Sequence, residues 1–154
     1  MAYEERGRQL WLLTVTTTAG TDLCFTAYRP GSYSAGALQT DGIQALVQMS
    51  GSAPYTLYLA GGTTLKAGNA AITRSEAGLA YVERTLDGNY IVGNSSPTPG
   101  TVTVTLPALA GLDAFTVDAK GEKGAPAQIT KTGNGVSLQL AGGAMVEFAK
   151  SGSK

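Results

Sequence analysis

Two tyrosines and an arginine around one predicted loop are the residues of this sequence best suited to binding a ligand. Tyr28 and Tyr33 bracket the segment Arg29-Pro30-Gly31, in which proline and glycine favour a loop. An aromatic ring can pack on the apolar face of a sugar, and a guanidinium can pair with the carboxylate of an acidic sugar. We predict that Tyr28, Arg29 and Tyr33 bind carbohydrate, with packing of the loop on the rim of the fold as the alternative.

Trp11 and Tyr90 are two further aromatic candidates for carbohydrate binding. Trp11 stands in the strand-like run Leu10 to Thr18, where both alternating sets of residues include apolar side chains. A strand that is apolar on both faces is central in a sheet or touches a neighbouring domain, so burial of Trp11 is the alternative. Tyr90 follows a predicted Asp87-Gly88 turn, across which it could pair with Tyr81.

Residues for the common catalytic mechanisms are missing from the sequence. It contains no histidine, which excludes the usual serine and cysteine triads and zinc sites built from histidine and cysteine. The single cysteine, Cys24, can form no internal disulfide, and its apolar neighbours predict a small buried side chain. Most acidic residues lie in predicted turns, whereas glycoside hydrolysis needs a carboxyl pair in a cleft. We therefore predict that the domain is not an enzyme and uses no cofactor.

Calcium is the one metal that the sequence leaves open. Asp87, Asn89 and Asn94 lie close together in the sequence and offer oxygen ligands, but their spacing matches no known calcium loop. An Asp-Gly pair between apolar runs is a strong hairpin signal. The sequence therefore predicts a hairpin and no metal site here, with a structural Ca²⁺ ion as the alternative.

The charge distribution argues against nucleic acids and membranes as partners. Eleven basic residues balance eleven acidic ones, and charged residues make up only 14% of the chain. Binding to phosphates needs a basic stripe, as does electrostatic binding to a membrane surface, and the sequence has none. No apolar stretch approaches the roughly 20 residues of a membrane-spanning helix.

Short strand signals separated by turns recur along the whole chain. The run Thr101 to Leu106, TVTVTL, alternates strictly, so that its two valines and Leu106 should face a core. Hairpins are predicted at Asp87-Gly88, at Gly133-Asn134-Gly135 and at Gly142-Gly143, and Gly61-Gly62 is predicted to interrupt a strand. We predict an all-β fold, an antiparallel two-sheet β-sandwich of about a dozen short strands.

The length of 154 residues suits a single domain. We assign residues 10–149 to one β-sandwich domain. Residues 1–9 are polar and unlike a signal peptide, and we assign them to an N-terminal extension or cloning remnant. Residues 150–154 are assigned to a C-terminal linker or tag remnant.

The middle of the chain resembles a known class of β-domains. The segments are Leu57 to Leu65, Ala80 to Arg84, Asp87 to Val92, Ser96 to Thr98 and Thr101 to Leu106. In this order they resemble the C-terminal β-sandwich regions of polysaccharide lyases, namely the hyaluronate, chondroitin and xanthan lyase family and the heparinase II/III-type and alginate lyases. The resemblance covers roughly residues 43–106, and each of its motifs also suits other sandwiches.

The resemblance implies a setting rather than an activity. In those enzymes the catalytic residues come mainly from other domains, and their α/α toroid has no counterpart in this sequence. It therefore implies a non-catalytic accessory domain of a secreted, extracellular bacterial enzyme, which supports or binds polysaccharide beside the catalytic domain of the same parent chain. Two alternatives stay open: an autonomous carbohydrate-binding module, and a structural or adhesion domain without a glycan role.

Overall fold

The chain folds almost entirely into antiparallel β-structure. The structure is a computed structural model that describes residues 2–6, 10–29 and 31–152, and the side chains of all of these except residues 2–6, 10, 11 and 35. These residues form fifteen strands and one short 3-10 turn, Pro107–Leu109. Among them, no helix is long and apolar enough to cross a membrane.

The described residues form fifteen strands, whereas about a dozen short ones were predicted. Two of the strands are long, with 15 residues each. Ala2–Arg6, within the predicted N-terminal extension, forms the first strand and pairs with the second. The strands are, in chain order, β1 (Ala2–Arg6), β2 (Leu10–Thr17), β3 (Gly20–Ala27), β4 (Tyr33–Ala35), β5 (Leu38–Thr40), β6 (Gln44–Ser50), β7 (Ala53–Ala67), β8 (Ala70–Arg84), β9 (Tyr90–Asn94), β10 (Gly100–Thr105), β11 (Asp113–Val117), β12 (Lys123–Pro126), β13 (Thr130–Thr132), β14 (Gly135–Leu140) and β15 (Met145–Ala149).

Hydrogen bonding joins all of these strands into one branched sheet. The main path runs β1-β2-β3-β6-β7-β8-β9-β15-β11-β12, and we call it the first arm. A second arm branches from the end of β7, which pairs with β5, and from the start of β8, which pairs with β10. It continues through β14 and β13, and β4 adds to β5. The all-β antiparallel prediction is confirmed.

The buried core takes residues from both arms. The predicted alternation in β10 is confirmed, since Val102, Val104 and the following Leu106 are buried, while Thr103 faces the other way and shares a hydrogen bond of 3.0 Å with Ser137. Each fully buried aliphatic or aromatic side chain of this kind stabilises the fold by about 1.5–3 kcal/mol. One hydrophobic cluster joins such residues from the first arm to those of the second, including Phe25, Val47, Leu57, Leu38, Leu65 and Ile72.

The hairpins predicted at Asp87-Gly88 and at Gly133-Asn134-Gly135 form, but the first has another register than expected. The hairpin predicted at Gly142-Gly143 is wrong, because β14 pairs with β10 and β13 whereas β15 pairs with β9 and β11. In the β8–β9 hairpin Gly88 has a φ of 82°, which favours glycine, and the amide of Thr85 donates to the carbonyl of Asn89. Tyr90 pairs with Arg84 rather than with Tyr81. The expected contact between the two tyrosines is therefore wrong, because their side chains lie on opposite faces of the sheet.

The two long strands share a large bulge where the arms meet. Gly62 pairs with Gly78 and Thr64 with Thr73, so β8 advances from 73 to 78 while β7 advances only from 62 to 64. The prediction that Gly61-Gly62 ends a strand is wrong, because β7 continues through it. Gly61 has a φ of 72°, a conformation common in bulges, so the glycines bend the strand without ending it.

Asp41 satisfies the β7 side of the bulge. Its Oδ1 accepts hydrogen bonds from the amides of Thr63 and Thr64, both at 2.8 Å, and its Oδ2 accepts one from the Thr63 hydroxyl at 2.5 Å. Burial disfavours the charged form, but these hydrogen bonds outweigh it and lower the pKa of Asp41. The carboxylate thus takes the place of a strand partner for two amides.

Arg74 satisfies the β8 side of the bulge. It occupies a core-facing position and is only 4% exposed. Its Nη1 donates to the carbonyls of Glu76 and Ala77 within the bulge, at 2.8 and 3.5 Å. Its Nη2 donates to the carbonyl and hydroxyl of Thr98, and its Nε donates to the Oδ1 of Asn94. The guanidinium therefore makes five hydrogen bonds, as many as it has N–H groups, and none of these five acceptors is a carboxylate.

Candidate functional site

The first arm has a partly exposed apolar face opposite the core, which we call the outer face. Alternation along β3 buries Leu23 and Phe25 on the core side and places Cys24 on the outer face. Residues directly opposite each other on neighbouring strands share a face. The row through Cys24, which we call the central row, consists of Leu13, Cys24, Leu46, Tyr58, Tyr81, Gly93 and Met145.

Two stacked tyrosines form the middle of the central row. The rings of Tyr58 and Tyr81 lie 5.2 Å apart with an interplanar angle of 13°. The Tyr58 hydroxyl donates a 2.5 Å hydrogen bond to the carboxylate of Glu83. Tyr81 lies over Gly93, where an added Cβ would be 2.3 Å from its ring. Both rings are therefore held in place by packing and, for Tyr58, by a hydrogen bond.

The environment of the pair keeps both phenols protonated at neutral pH. Burial raises the pKa of Tyr58, and the hydrogen bond to Glu83 and the charge of that carboxylate raise it further. Burial and the Glu83 charge also raise the pKa of Tyr81. Neither side chain is therefore suited to act as a general base near pH 7.

A shallow pocket opens beside Tyr58, and we call it the Tyr58 pocket. It has a volume of about 360 Å³ and is lined by Cys24, Phe25, Thr26, Gln44, Ala45, Leu46, Tyr58 and Ala60. Tyr81 covers the Tyr58 ring from the β8 side, and the pocket that Tyr58 lines extends over β6 and β3 on its other side. The Tyr58 side chain, an apolar floor and the exposed polar side chains of Thr26 and Gln44 suit a sugar ring with its hydroxyl groups.

The predicted binding loop forms, and its residues differ in exposure. Tyr28 is 61% exposed, and Arg29 is also exposed. The Tyr33 hydroxyl donates a 2.5 Å hydrogen bond to the carbonyl of Arg29, and its ring packs against Phe25 with centroids 5.4 Å apart. An added Cβ on Gly31 would meet the Tyr33 ring within 3.2 Å. Tyr33 therefore closes the loop with its ring covered, while Tyr28 and Arg29 stay at the surface.

Tyr33 also borders a polar groove of about 440 Å³. The groove includes the side chains of Gln39 and Lys66 together with Asp41, whose carboxylate is already occupied by the bulge. It offers polar contacts, and its one aromatic residue, Tyr33, already packs against Phe25 and donates its hydroxyl to the Arg29 carbonyl. It is therefore a weaker fit for a sugar ring than the Tyr58 pocket.

The two remaining aromatic candidates lie in different surroundings. Tyr90 faces the core and retains only 8% exposure. Trp11 pairs through its backbone with Thr26 in the row next to the central row, and its side chain lies outside the described residues. The carbohydrate-binding roles of both stay predictions.

The residues considered for calcium have separate partners. Asp87 is exposed in the hairpin turn. The side-chain amide of Asn89 donates to the carboxylate of Glu147 at 2.9 Å. Asn94 is 1% exposed, and its amide donates to the carbonyls of Thr98, Leu140 and Ala141. In the part of the chain that the structure describes, no three His, Cys, Asp or Glu side chains form a cluster suited to a metal.

The largest of the cavities lined by described residues lacks the aromatic side chain that the Tyr58 pocket has. It has a volume of about 980 Å³ and lies between β14 and β15, with Leu138, Leu140 and Val146 in its wall. Its lining contains neither an aromatic ring nor a charged side chain. Polar side chains such as Thr116, Gln128 and Gln139 can hydrogen-bond a ligand there, but the cavity offers no ring on which a sugar could pack.

The Tyr58–Tyr81 pair was missed in the sequence because it depends on strand register. The residues are 23 positions apart, and only the pairing of β7 with β8 brings them together. The available signal was that Tyr55 and Tyr58 must face opposite sides of one strand. The sequence matches no family model, and no curated protein matches it at a significant level.

Proposed function

We propose that this is a non-catalytic accessory domain that binds a polysaccharide chain at the Tyr58 pocket, beside the catalytic domain of an extracellular polysaccharide-degrading enzyme. The observation that carries the proposal is that the Tyr58 ring is stacked on Tyr81 and at the same time lines a pocket. The enzyme setting is supported by the resemblance of residues 43–106 to lyase accessory domains.

The geometry suits sugar binding for energetic reasons. Contact with an aromatic face contributes about 0.5–1.5 kcal/mol beyond the burial of apolar area. The Tyr58 ring is fixed by Tyr81 and Glu83 before a ligand arrives, so binding costs little side-chain entropy. Thr26 and Gln44 add hydrogen-bonding groups at the rim. The site can therefore bind one or two sugar rings of a longer chain.

We also propose that the two arms face each other as the two layers of a β-sandwich. The buried residues of both arms belong to one hydrophobic cluster, and the bulge in β7 and β8 supplies the bend that such a change of layer requires. This arrangement leaves the outer face of the first arm free for a ligand.

Affinity electrophoresis through gels that contain single polysaccharides tests the binding function. We expect retardation of the wild-type domain by at least one polymer and loss of it in Tyr58→Ala. Tyr58→Phe keeps the ring and should retain most of the binding. Leu86→Ala, at a fully exposed hairpin residue, is the control for removal of a surface apolar side chain. Loss of retardation in Tyr28→Ala but not in Tyr58→Ala would place the site at the predicted loop instead.

A second candidate function is structural support of the catalytic domain through the outer face. It is favoured by Leu79, which lies on this face and is 42% exposed, and by the apolar neighbours Leu13, Leu46 and Met145. Under this function the isolated domain would migrate uniformly through every gel. Leu79→Asp would then weaken its association with the catalytic domain of the parent chain, measured with the two domains expressed separately.

A further inference from the structure

We infer that the polysaccharide bound at the Tyr58 pocket is uncharged, and that acidic polysaccharides are disfavoured there. This inference rests on the proposed function, since it names the class of ligand for the same site. It departs from the expectation that Arg29 would select an acidic sugar. It follows from where the charged side chains of the outer face lie.

Two carboxylates lie on the outer face beside the central row, although neither lines the Tyr58 pocket itself. Asp22 is two residues before Cys24 on β3, and Glu83 is two residues after Tyr81 on β8, so alternation places both on the outer face. Glu83 is in direct contact with Tyr58 through the 2.5 Å hydrogen bond. The residues that line the pocket include no lysine or arginine.

The hydrogen-bond partners of these carboxylates carry no charge. Glu83 accepts from the Tyr58 hydroxyl, and Asp22 accepts from the side-chain amide of Gln48 at 3.4 Å. Their negative charges reach the pocket wall, since Asp22 adds to burial in raising the pKa of Cys24, and Glu83 does the same for Tyr58. Asp22 and Glu83 therefore each contribute negative potential at the pocket wall.

Negative potential separates sugars by charge without changing the stacking contact. A uronic acid carboxylate bound on the Tyr58 ring would bring a like charge to the face that carries Glu83 and Asp22 and would lose its hydration. A neutral sugar presents hydroxyl groups, which can donate hydrogen bonds to carboxylates such as Glu83. Neutral chains should therefore bind at least about tenfold more tightly than acidic chains of the same backbone.

Matched polymers that differ only in charge test the inference. The probes are xylan and hydroxyethyl cellulose as neutral polymers, and native and carboxyl-reduced forms of hyaluronan, alginate and polygalacturonate. Binding is measured by affinity electrophoresis and by calorimetry at two salt concentrations. We expect binding to at least one neutral or reduced polymer, lost in Tyr58→Ala, with at least about a tenfold preference for the reduced form in any matched pair that binds. Asp22→Asn should reduce the preference for the reduced polymer, and its affinity for neutral polymers should stay within about twofold of the wild-type affinity.

The outcomes separate the inference from the proposed function. Equal or tighter binding of a native acidic polymer that is lost in Tyr58→Ala would overturn the inference and keep the proposed function. Acidic binding that survives in Tyr58→Ala and is lost in Tyr28→Ala would overturn both and support the loop. No binding by a folded wild-type domain to any probe overturns the proposed function and, with it, the inference. Asp22→Asn does not alter the aromatic pair, so it tests the charge effect even if Tyr58→Ala fails to fold.

Discussion

Replacement of Arg74 by methionine tests whether this side chain holds the bulge between the two arms. Methionine keeps much of the side-chain volume and removes the guanidinium. The carbonyls of Glu76 and Ala77 then lose the donor that Arg74 supplies. The Thr98 carbonyl and the Asn94 Oδ1 lose one donor each but keep another, because Asn94 donates to the Thr98 carbonyl and the Ser96 amide donates to Asn94. The Thr98 hydroxyl loses the long contact with Nη2.

The expected cost follows from these lost hydrogen bonds. A hydrogen bond to a charged group contributes about 1.5–3 kcal/mol, and a buried acceptor left without a donor costs about 1–3 kcal/mol. Glu76 and Ala77 are exposed residues, so water can replace part of this loss, and removal of a desolvated charge offsets another part. We expect a net destabilisation of about 3 kcal/mol, which corresponds to a melting temperature lower by about 6–12 °C at this chain length.

Urea titration and thermal melting followed by far-UV circular dichroism measure the effect. Arg74→Lys keeps the charge but loses the planar fork, and we expect it to show most of the same loss. Arg84→Met is the matched control, because Arg84 is exposed and lies 4.0 Å from the centre of the Tyr55 ring; its cost should be below about 1 kcal/mol. A stability of Arg74→Met within about 1 kcal/mol of that control would refute the role of Arg74 in the bulge.

Three further changes probe the aromatic pair, the bulge and the core. Gly93→Ala forces a methyl group into the Tyr81 ring, and we expect urea titration to show a loss of about 1–3 kcal/mol, whereas Gly111→Ala, with open space around its Cβ, should be nearly neutral. The pKa of Asp41 lies below its ordinary value of 3.8, so the stability that its carboxylate contributes is complete above about pH 4–5 and is lost as the pH falls further. Asp41→Asn should therefore lose less stability than the wild type between pH 7 and pH 3. An equal loss in the two proteins would contradict this. Val104→Ala should cost about 2–3 kcal/mol by leaving a cavity in the core, and a smaller effect than that of Thr103→Ala would contradict the assigned strand face.

The parts of the fold that depend on short sequence patterns were predictable. The alternation from Thr101 to Leu106 identifies both the strand and its buried face, because side chains in a strand alternate between two environments. The Asp87-Gly88 turn identifies a hairpin, because glycine adopts the positive φ that such a turn needs. Neither inference requires knowledge of a distant segment.

The bulge was not predictable in the same way, because its stability comes from residues far along the chain. Gly61-Gly62 looks like a strand end when read alone. The strand continues because Asp41, some twenty residues earlier, supplies acceptors for the amides of Thr63 and Thr64. Arg74 likewise occupies a core-facing position that the pattern would assign to an apolar residue.

The two candidate sites differ in the same way, since one consists of residues close in sequence and the other depends on strand register. Tyr28, Arg29 and Tyr33 are close in sequence, and the loop does connect Tyr33 to Arg29 through a hydrogen bond. The covering of the Tyr33 ring depends on Phe25 and on the path of the backbone at Gly31, which composition does not reveal. The Tyr58 pocket needs the register of four neighbouring strands, and that register is a property of the sheet as a whole.

The bulge and the aromatic pair are coupled through that register. Gly62 pairs with Gly78 four residues after Tyr58 and three residues before Tyr81. A slip of one residue between β7 and β8 would turn one of the two tyrosines toward the core, and the stack would be lost. Asp41 and Arg74 oppose such a slip because each binds its own side of the bulge. Residues at the junction of the arms therefore help to form the proposed binding face without contacting it.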